Sequence, residues 1–188
     1  MPKIILASQS PRRIELLKEI TTRFEVIPSA VEETIDPQRT PLENAIDLAV
    51  KKAQWVARNN KGRFVLGADT LVVLDGEVIG KPSDRNDAHR ILRRLSGREH
   101  QVITGVAIVN DSTFKDAAVS TVSIKPLTDE EISRYIDTGE PMDKAGAYAI
   151  QGKGAFMVSH YQGSFTNIVG LPIETVKELL QKSGYDLE

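Results

Sequence analysis

Residues 4–20 change periodicity within a few positions, and that change restricts the fold more than any other feature of the chain. Ile4-Ile5-Leu6-Ala7 is an unbroken apolar run, the pattern of a buried strand. Ile14, Leu16, Leu17 and Ile20 then recur at the spacing of one helix face. Ser8-Gln9-Ser10-Pro11-Arg12-Arg13 lies between the two patterns. Ser10 suits the N-cap, and Pro11 suits the first helical position, where its missing N–H leaves nothing unsatisfied. So a strand ends, two hydroxyls appear, and a helix opens on two guanidinium groups. A helix N-terminus already carries about half a positive charge, so Arg12 and Arg13 are unfavourable there unless an anion neutralises them. Two readings follow from this stretch. One is a capped helix with solvated arginines; the other is a phosphate site of backbone N–H groups, hydroxyls and arginines.

The alternation continues down the chain. Phe24-Glu25-Val26-Ile27-Pro28 reads as a short strand, followed by a polar loop holding Glu32 and Glu33. Thr40-Pro41-Leu42-Glu43 is a capping box and predicts a helix to about Arg58, with Leu42, Ala45, Ile46, Ala49, Ala53 and Val56 on one face. Lys51 and Lys52 both lie on that helix, and the pattern favours neither. Phe64–Ala68 predicts a strand with Asp69 and Thr70 near its C-terminal end, before a second apolar run, Leu71–Leu74. A buried carboxylate is costly unless paired or metal-bound, so Asp69 is either satisfied by nearby backbone N–H groups or part of a site. Asp75-Gly76 signals a hairpin, and its return strand, Glu77–Ile79, is expected to carry Lys81 back toward Asp69.

Ser83 or Asp84 caps the next predicted helix, which runs to Ser96 and stops at Gly97. Its Arg90, Arg93 and Arg94 read as a solvated face. Gln101–Val109 and Ala117–Ile124 predict two long strands, and Thr128-Asp129-Glu130-Glu131 caps a helix ending near Gly139. Pro141–Gly152 is small and Gly-rich, suited either to close approach of backbone to a ligand or to an ordinary irregular connection. Ala155–Tyr161 and Ser164–Val169 are expected to form a hairpin over Gln162-Gly163. A last helix is expected from Pro172 to Lys182, stopping at Gly184. Early strand–helix alternation with later hairpins predicts an α/β protein with a mixed sheet and flanking helices. No linker is evident, so residues 1–188 are expected to form a single domain.

Several functional classes drop out. The formal net charge of -2 offers no global attraction to nucleic acid, so an anion site must be local and suited to a small ligand. The chain has no cysteine, which removes disulfides, thiolate metal sites and cysteine nucleophiles. No apolar run approaches the roughly 20 residues of a membrane span, and no signal-peptide pattern opens the chain, so the cytoplasm is the expected location. There is no P-loop, no dinucleotide fingerprint and no nucleophile elbow. His89, His100 and His160 are scattered without metal-ligand spacing. What remains is hard-cation and phosphate chemistry, with carboxylates Glu33 and Asp69, cations Arg12, Arg13, Lys52 and Lys81, and hydroxyls Ser8 and Ser10. Carboxylates plus phosphate oxygens commonly hold Mg²⁺, and cations stabilise a phosphoryl group under attack.

The segments Ser8–Arg13, Gly67-Ala68-Asp69-Thr70, Gly80-Lys81-Pro82, Leu95-Ser96-Gly97-Arg98, Asp143-Lys144-Ala145-Gly146-Ala147-Tyr148 and Gly170-Leu171-Pro172 closely resemble the Maf family, in the same order over nearly the whole chain. These are nucleoside triphosphate pyrophosphatases, related in fold to the inosine triphosphatase group. The resemblance implies an elongated α/β fold with two lobes around a central cleft, often dimeric. It implies hydrolysis of dTTP or UTP, ordinary or modified, to the monophosphate and pyrophosphate with Mg²⁺ or Mn²⁺. Asp69 matches the family's catalytic acceptor. Arg12, Thr70 and Gln151 match positions that separate the dTTP/UTP branch from those acting on other bases. Glu33 as a metal ligand beside Asp69, and Lys52 as a phosphate clamp, rest mainly on the resemblance. The family's association with septum formation offers an alternative, a cell-division regulator that binds nucleotide or nucleic acid without important turnover.

Overall fold

The computed structural model describes residues 2–187 and contains one mixed sheet. Strand β1 (Ile4–Leu6) lies between β2 (Phe24–Val26) and β3 (Val65–Leu74), parallel to both. Helix α1 (Pro11–Lys18) connects β1 to β2, and α2 (Pro41–Ala57) connects β2 to β3. These connections are the βαβ crossovers that parallel strands require. Ser10 accepts the Arg13 N–H at the start of α1, and Thr40 and Glu43 complete both arms of a capping box at α2.

The sheet becomes antiparallel beyond β3. Strand β4 (Glu77–Ile79) folds back on the end of β3 through Asp75-Gly76. Then β5 (Glu99–Val109), β6 (Thr113–Ile124) and β7 (Val158–Gln162) follow one another outward. The order is β2-β1-β3-β5-β6-β7, with β4 attached to β3. Helix α2 covers one face. Gly67 and Gly105 bring it close, because any Cβ there would run into the α2 backbone at Ala49 and Ala45. The opposite face carries the larger core, shared by α1, α3 (Arg85–Leu95), α4 (Asp129–Asp137), α5 (Phe165–Val169) and α6 (Ile173–Lys182).

One edge of β3 is interrupted. β1 pairs with it at Val65 and Leu66, and β4 pairs with it from Val72 to Leu74. β5 covers the other edge continuously from Val65 to Val73. Among the described residues, no strand pairs with the first edge between Gly67 and Leu71. That gap opens the cleft.

Several expectations need correction. Asp69 is not near a strand end: the two apolar runs form one continuous strand with Asp69 inside it. Phe165–Val169 is a helix, so the expected hairpin over Gln162-Gly163 is absent and only Val158–Gln162 is a strand. Ser164 caps that helix, and Asn167 anchors it by donating its amide to the Val102 carbonyl and the Ser120 hydroxyl. Lys153–Met157 is a 3₁₀ turn rather than the start of a strand. On α2, Leu48 is buried while Leu42 is exposed. Arg90, Arg93 and Arg94 do form an outer face, paired with Asp87, Asp129 and Glu77. Among the described residues, no helix is long and apolar enough to cross a membrane.

Candidate active site

Side chains alternate across β3. Leu71 and Val73 pack beneath α2 with Ala45, whereas Leu66, Ala68 and Val72 belong to the opposite core. Asp69 therefore faces α2 and Thr70 faces away from it. Both reach one cleft, because the strand that would separate them is missing from this edge.

On the α2 side, Lys52 is 7% exposed and Asp69 is 4% exposed. The Lys52 ammonium donates to Asp69 Oδ1 at 2.6 Å and pairs with Glu33 Oε1 at 2.8 Å. Two carboxylates thus converge on one buried cation. Burial pushes the Asp69 carboxyl above its ordinary range, against the pull of Lys52 and Arg13. Partial burial acts upward on Glu33 too, but its hydrogen bond to Lys52 and the nearby cations outweigh it and hold the carboxyl low. Environments that push two neighbouring carboxyls apart suit them to different roles.

On the other side, Arg13 is fixed by neutral groups. Its Nε donates to the Gly170 carbonyl at 2.8 Å, Nη2 to the Thr70 hydroxyl at 3.0 Å and Nη1 to the Ser8 hydroxyl at 3.4 Å. Thr70 is braced by Thr104 at 2.9 Å, and Ser8 also accepts the Ser10 N–H at 3.2 Å. Among the described residues, no carboxylate pairs directly with Arg13, and Arg12 and Lys81 also lack an ion-pair partner. Three cations around one cleft without direct counter-charge suit an anion.

The cleft holds about 740 Å³, within the range of small-molecule sites. It brings together Ser8, Ser10, Arg12, Arg13, Glu33, Lys52, Asp69, Thr70, Lys81 and Gln151. One placement differs from expectation. Lys81 does not pair with Asp69; β4 meets β3 beyond Asp69 and ends at Ile79, and the next residue's carbonyl, that of Gly80, accepts the Gly146 N–H at 3.1 Å. The role expected of Lys81 opposite Asp69 falls to Lys52. The Ser10 hydroxyl caps α1, as its position before Pro11 predicts, by accepting the Arg13 N–H at 3.5 Å.

Some residues of the site enter the sequence reading only through the family motif Asp143–Tyr148, with no role assigned to them. Asp143 and Lys144 pair with each other on the cleft wall. Tyr148 also lines the cleft, and its hydroxyl meets His100 Nε2 at 2.6 Å. Burial pushes the imidazole of His100 down to about 4. The only local hint is the small-residue composition of the segment carrying Tyr148.

Among the described residues, no cluster of three histidines, aspartates or glutamates could hold a metal. Glu33 and Asp69 instead supply two converging carboxylates. That donor set fits Mg²⁺ or Mn²⁺ when substrate phosphates complete the coordination.

The family model of the Maf-like protein matches residues 3–183. The chain is 49% identical to the dTTP/UTP pyrophosphatase of Caldicellulosiruptor saccharolyticus over 194 residues, covering 100% of this chain and 98% of that one. It is 50% identical to the dTTP/UTP pyrophosphatase of Geotalea uraniireducens over 184 residues, covering 96% of this chain and 95% of the other. A solved HAM1 protein from Coxiella burnetii superposes with a TM-score of 0.54 at 19% identity, covering 97% of this chain and 100% of that chain; the likeness is one of fold.

Proposed function

The chain belongs to the Maf family, and on that premise we propose that it hydrolyses dTTP and UTP to the nucleoside monophosphate and pyrophosphate. The observation that carries this reading is the Lys52 ammonium bridging Asp69 and Glu33 at the gap in β3, with Arg12, Arg13 and Lys81 around the same cleft.

The triphosphate supplies the counter-charge that Arg12, Arg13 and Lys81 lack. Backbone N–H groups at the start of α1 and the hydroxyls of Ser8 and Ser10 extend that cradle. Lys52 and Lys81 clamp the phosphates and the leaving pyrophosphate. Water attacks the α-phosphorus, the bond from that phosphorus to the bridging oxygen breaks, and pyrophosphate leaves with the bonding pair. A divalent cation held by Asp69 and Glu33 would neutralise charge on the phosphate oxygens. Asp69 either holds that cation or takes the proton of the attacking water. Lys52, which pairs with both carboxylates, favours their ionised forms and aims them at one point.

Gln151 is exposed in the cleft, and its side-chain amide makes no hydrogen bond within the described residues. An amide offers one donor and one acceptor to the O4 and N3–H edge of uracil or thymine. Cytosine reverses that pattern and would leave an amide held in the uracil orientation mispaired, at about 1–3 kcal/mol per polar group that the bound base buries. Arg12 and Thr70 complete the proposed specificity set. The chain is further proposed to act as one domain, since its sequence shows no linker, and as a homodimer, as the family resemblance implies, on the cytoplasmic nucleotide pool. Pyrophosphate release tests the activity. With Mg²⁺ or Mn²⁺, dTTP and UTP should lead CTP, ATP and GTP in kcat/KM, and Gln151→Ala should flatten that ranking. A purine triphosphate or CTP at the top would overturn the base assignment.

A further inference from the structure

Gln151 sits in a turn that no strand ladder supports, between the 3₁₀ turns Ala145–Ala147 and Lys153–Met157. The turn is held from outside by two side chains. Glu140 Oε2 accepts the Tyr135 hydroxyl at 2.6 Å and the Gly154 N–H at 3.0 Å, while Oε1 accepts the Lys153 N–H at 3.0 Å. Tyr135 in turn accepts the Ala149 N–H at 3.2 Å. One carboxylate and one phenol therefore grip the chain on both sides of Gln151. Tyr135 is buried on α4 and anchors the arrangement in the main core.

The approach is close. A Cβ at Gly152 would collide with the Glu140 carboxylate, and one at Gly154 would meet the Tyr135 hydroxyl. Burial acts upward on the Glu140 carboxyl, but the hydrogen bonds from Tyr135, Lys153 and Gly154 outweigh it and hold it below the ordinary range. Burial and Glu140 together raise the Tyr135 hydroxyl, so it stays protonated as the donor. Charge-assisted bonds of this kind are the strong class.

We propose that Glu140, anchored by Tyr135, is a positioning residue for pyrimidine selectivity, because it fixes the turn that presents Gln151 to the base. The proposal rests on Gln151 as the base contact, as argued above. Glu140 itself does not touch the substrate. A side chain that aligns a specificity residue changes discrimination between bases more than it changes the chemical step.

The test compares Glu140→Gln, Tyr135→Phe, Gln151→Ala and the double variant Glu140→Gln/Gln151→Ala. Glutamine offers one acceptor oxygen where three donors need two; Tyr135→Phe removes the hydroxyl and keeps the ring in the core. Two readouts are taken: kcat and KM on dTTP and CTP, and amide hydrogen exchange at Lys153 and Gly154. The expected result is faster exchange at both amides in Glu140→Gln and a dTTP-over-CTP ratio of kcat/KM lowered at least tenfold, mainly through KM for dTTP. Tyr135→Phe should lower the ratio in the same direction. The double variant should lose no more selectivity than Gln151→Ala. If Gln151→Ala flattens the ratio while Glu140→Gln and Tyr135→Phe leave it intact, the positioning role is overturned and the base contact stands. Equal loss on dTTP and CTP in those two variants also overturns it. An unchanged ratio in Gln151→Ala overturns the base contact and this proposal together.

Discussion

Asp69 Oδ1 lies 2.6 Å from the Nζ of Lys52, within the stretch of β3 that, among the described residues, has no neighbouring strand on one edge. The relationship joins a strand and a helix 17 residues apart in sequence. It leaves a buried carboxylate paired on one side and open to a cleft on the other. Asp69→Asn keeps the shape and removes the charge. Lys52 retains Glu33 as a partner, so the variant should stay folded. Turnover of dTTP should fall about 10²- to 10⁴-fold if Asp69 acts in proton transfer. Glu33→Gln should mainly raise the concentration of Mg²⁺ or Mn²⁺ needed for half-maximal rate. Steady-state kinetics across a metal titration checks both, and normal turnover by Asp69→Asn would remove Asp69 from the reaction.

Arg13 reaches Gly170, Thr70 and Ser8 with three different nitrogens. A lysine cannot reproduce that fork. Arg13→Lys should therefore behave nearly as badly as Arg13→Ala. Loss of a charge-assisted hydrogen bond is worth about 1.5–3 kcal/mol, or roughly 10- to 100-fold in kcat/KM. Arg12→Ala should fall in the same range. Full activity in Arg13→Lys would mean that only charge is needed there.

Lys81 lines the cleft without an ion-pair partner among the described residues, whereas Lys51 is exposed one position from Lys52 on α2. Lys81→Met should lower kcat by about tenfold or more, the scale of one lost charge-assisted contact to phosphate. Lys51→Met should leave it within about twofold, as expected of a surface change. Equal losses in the two variants would reduce the effect to nonspecific charge.

Acid stability should carry the signature of His100. Its imidazole titrates near 6.5 when unfolded and at about 4 in the fold, because burial disfavours the cation. Between those values the unfolded chain binds the extra proton, so stability falls as pH falls from 6.5 toward 4. The whole shift is worth about 3 kcal/mol. Asp69 works in the other direction: its raised carboxyl pKa favours the folded state in acid, and that contribution is lost as pH rises through it. His100→Gln cannot titrate and should flatten the decline. Urea unfolding of both proteins at neutral pH and near pH 5 reads the difference; parallel losses would assign the decline to other groups.

Much of this protein is legible in its residues alone. The start of α1 at Ser10-Pro11, both Thr–Glu capping boxes and the long strands β5 and β6 follow from local pattern. These features act within a few residues, so spacing and cap chemistry report them directly. Glu33 and Lys52 are singled out by family resemblance, because nothing local separates Lys52 from Lys51. Helical phase separates them: Lys52 turns under the sheet, where Gly67 and Gly105 let α2 approach, and Lys51 turns to solvent.

The residues of α5 have the pattern of a strand, yet the helix is held to the sheet through Asn167 to Val102 and Ser120, contacts that span 65 and 47 residues. A similar separation in sequence hides the His100–Tyr148 pair. The Glu140 carboxylate shows no local sign of its role because its partners are mostly backbone N–H groups, which every sequence supplies alike. The cleft itself comes from β1 and β4 pairing with opposite ends of the same β3 edge. Residue patterns specify which segments become strands. Which part of an edge stays unpaired depends on how distant strands share it, and that unpaired part admits Asp69 and Thr70, from opposite faces, to one site.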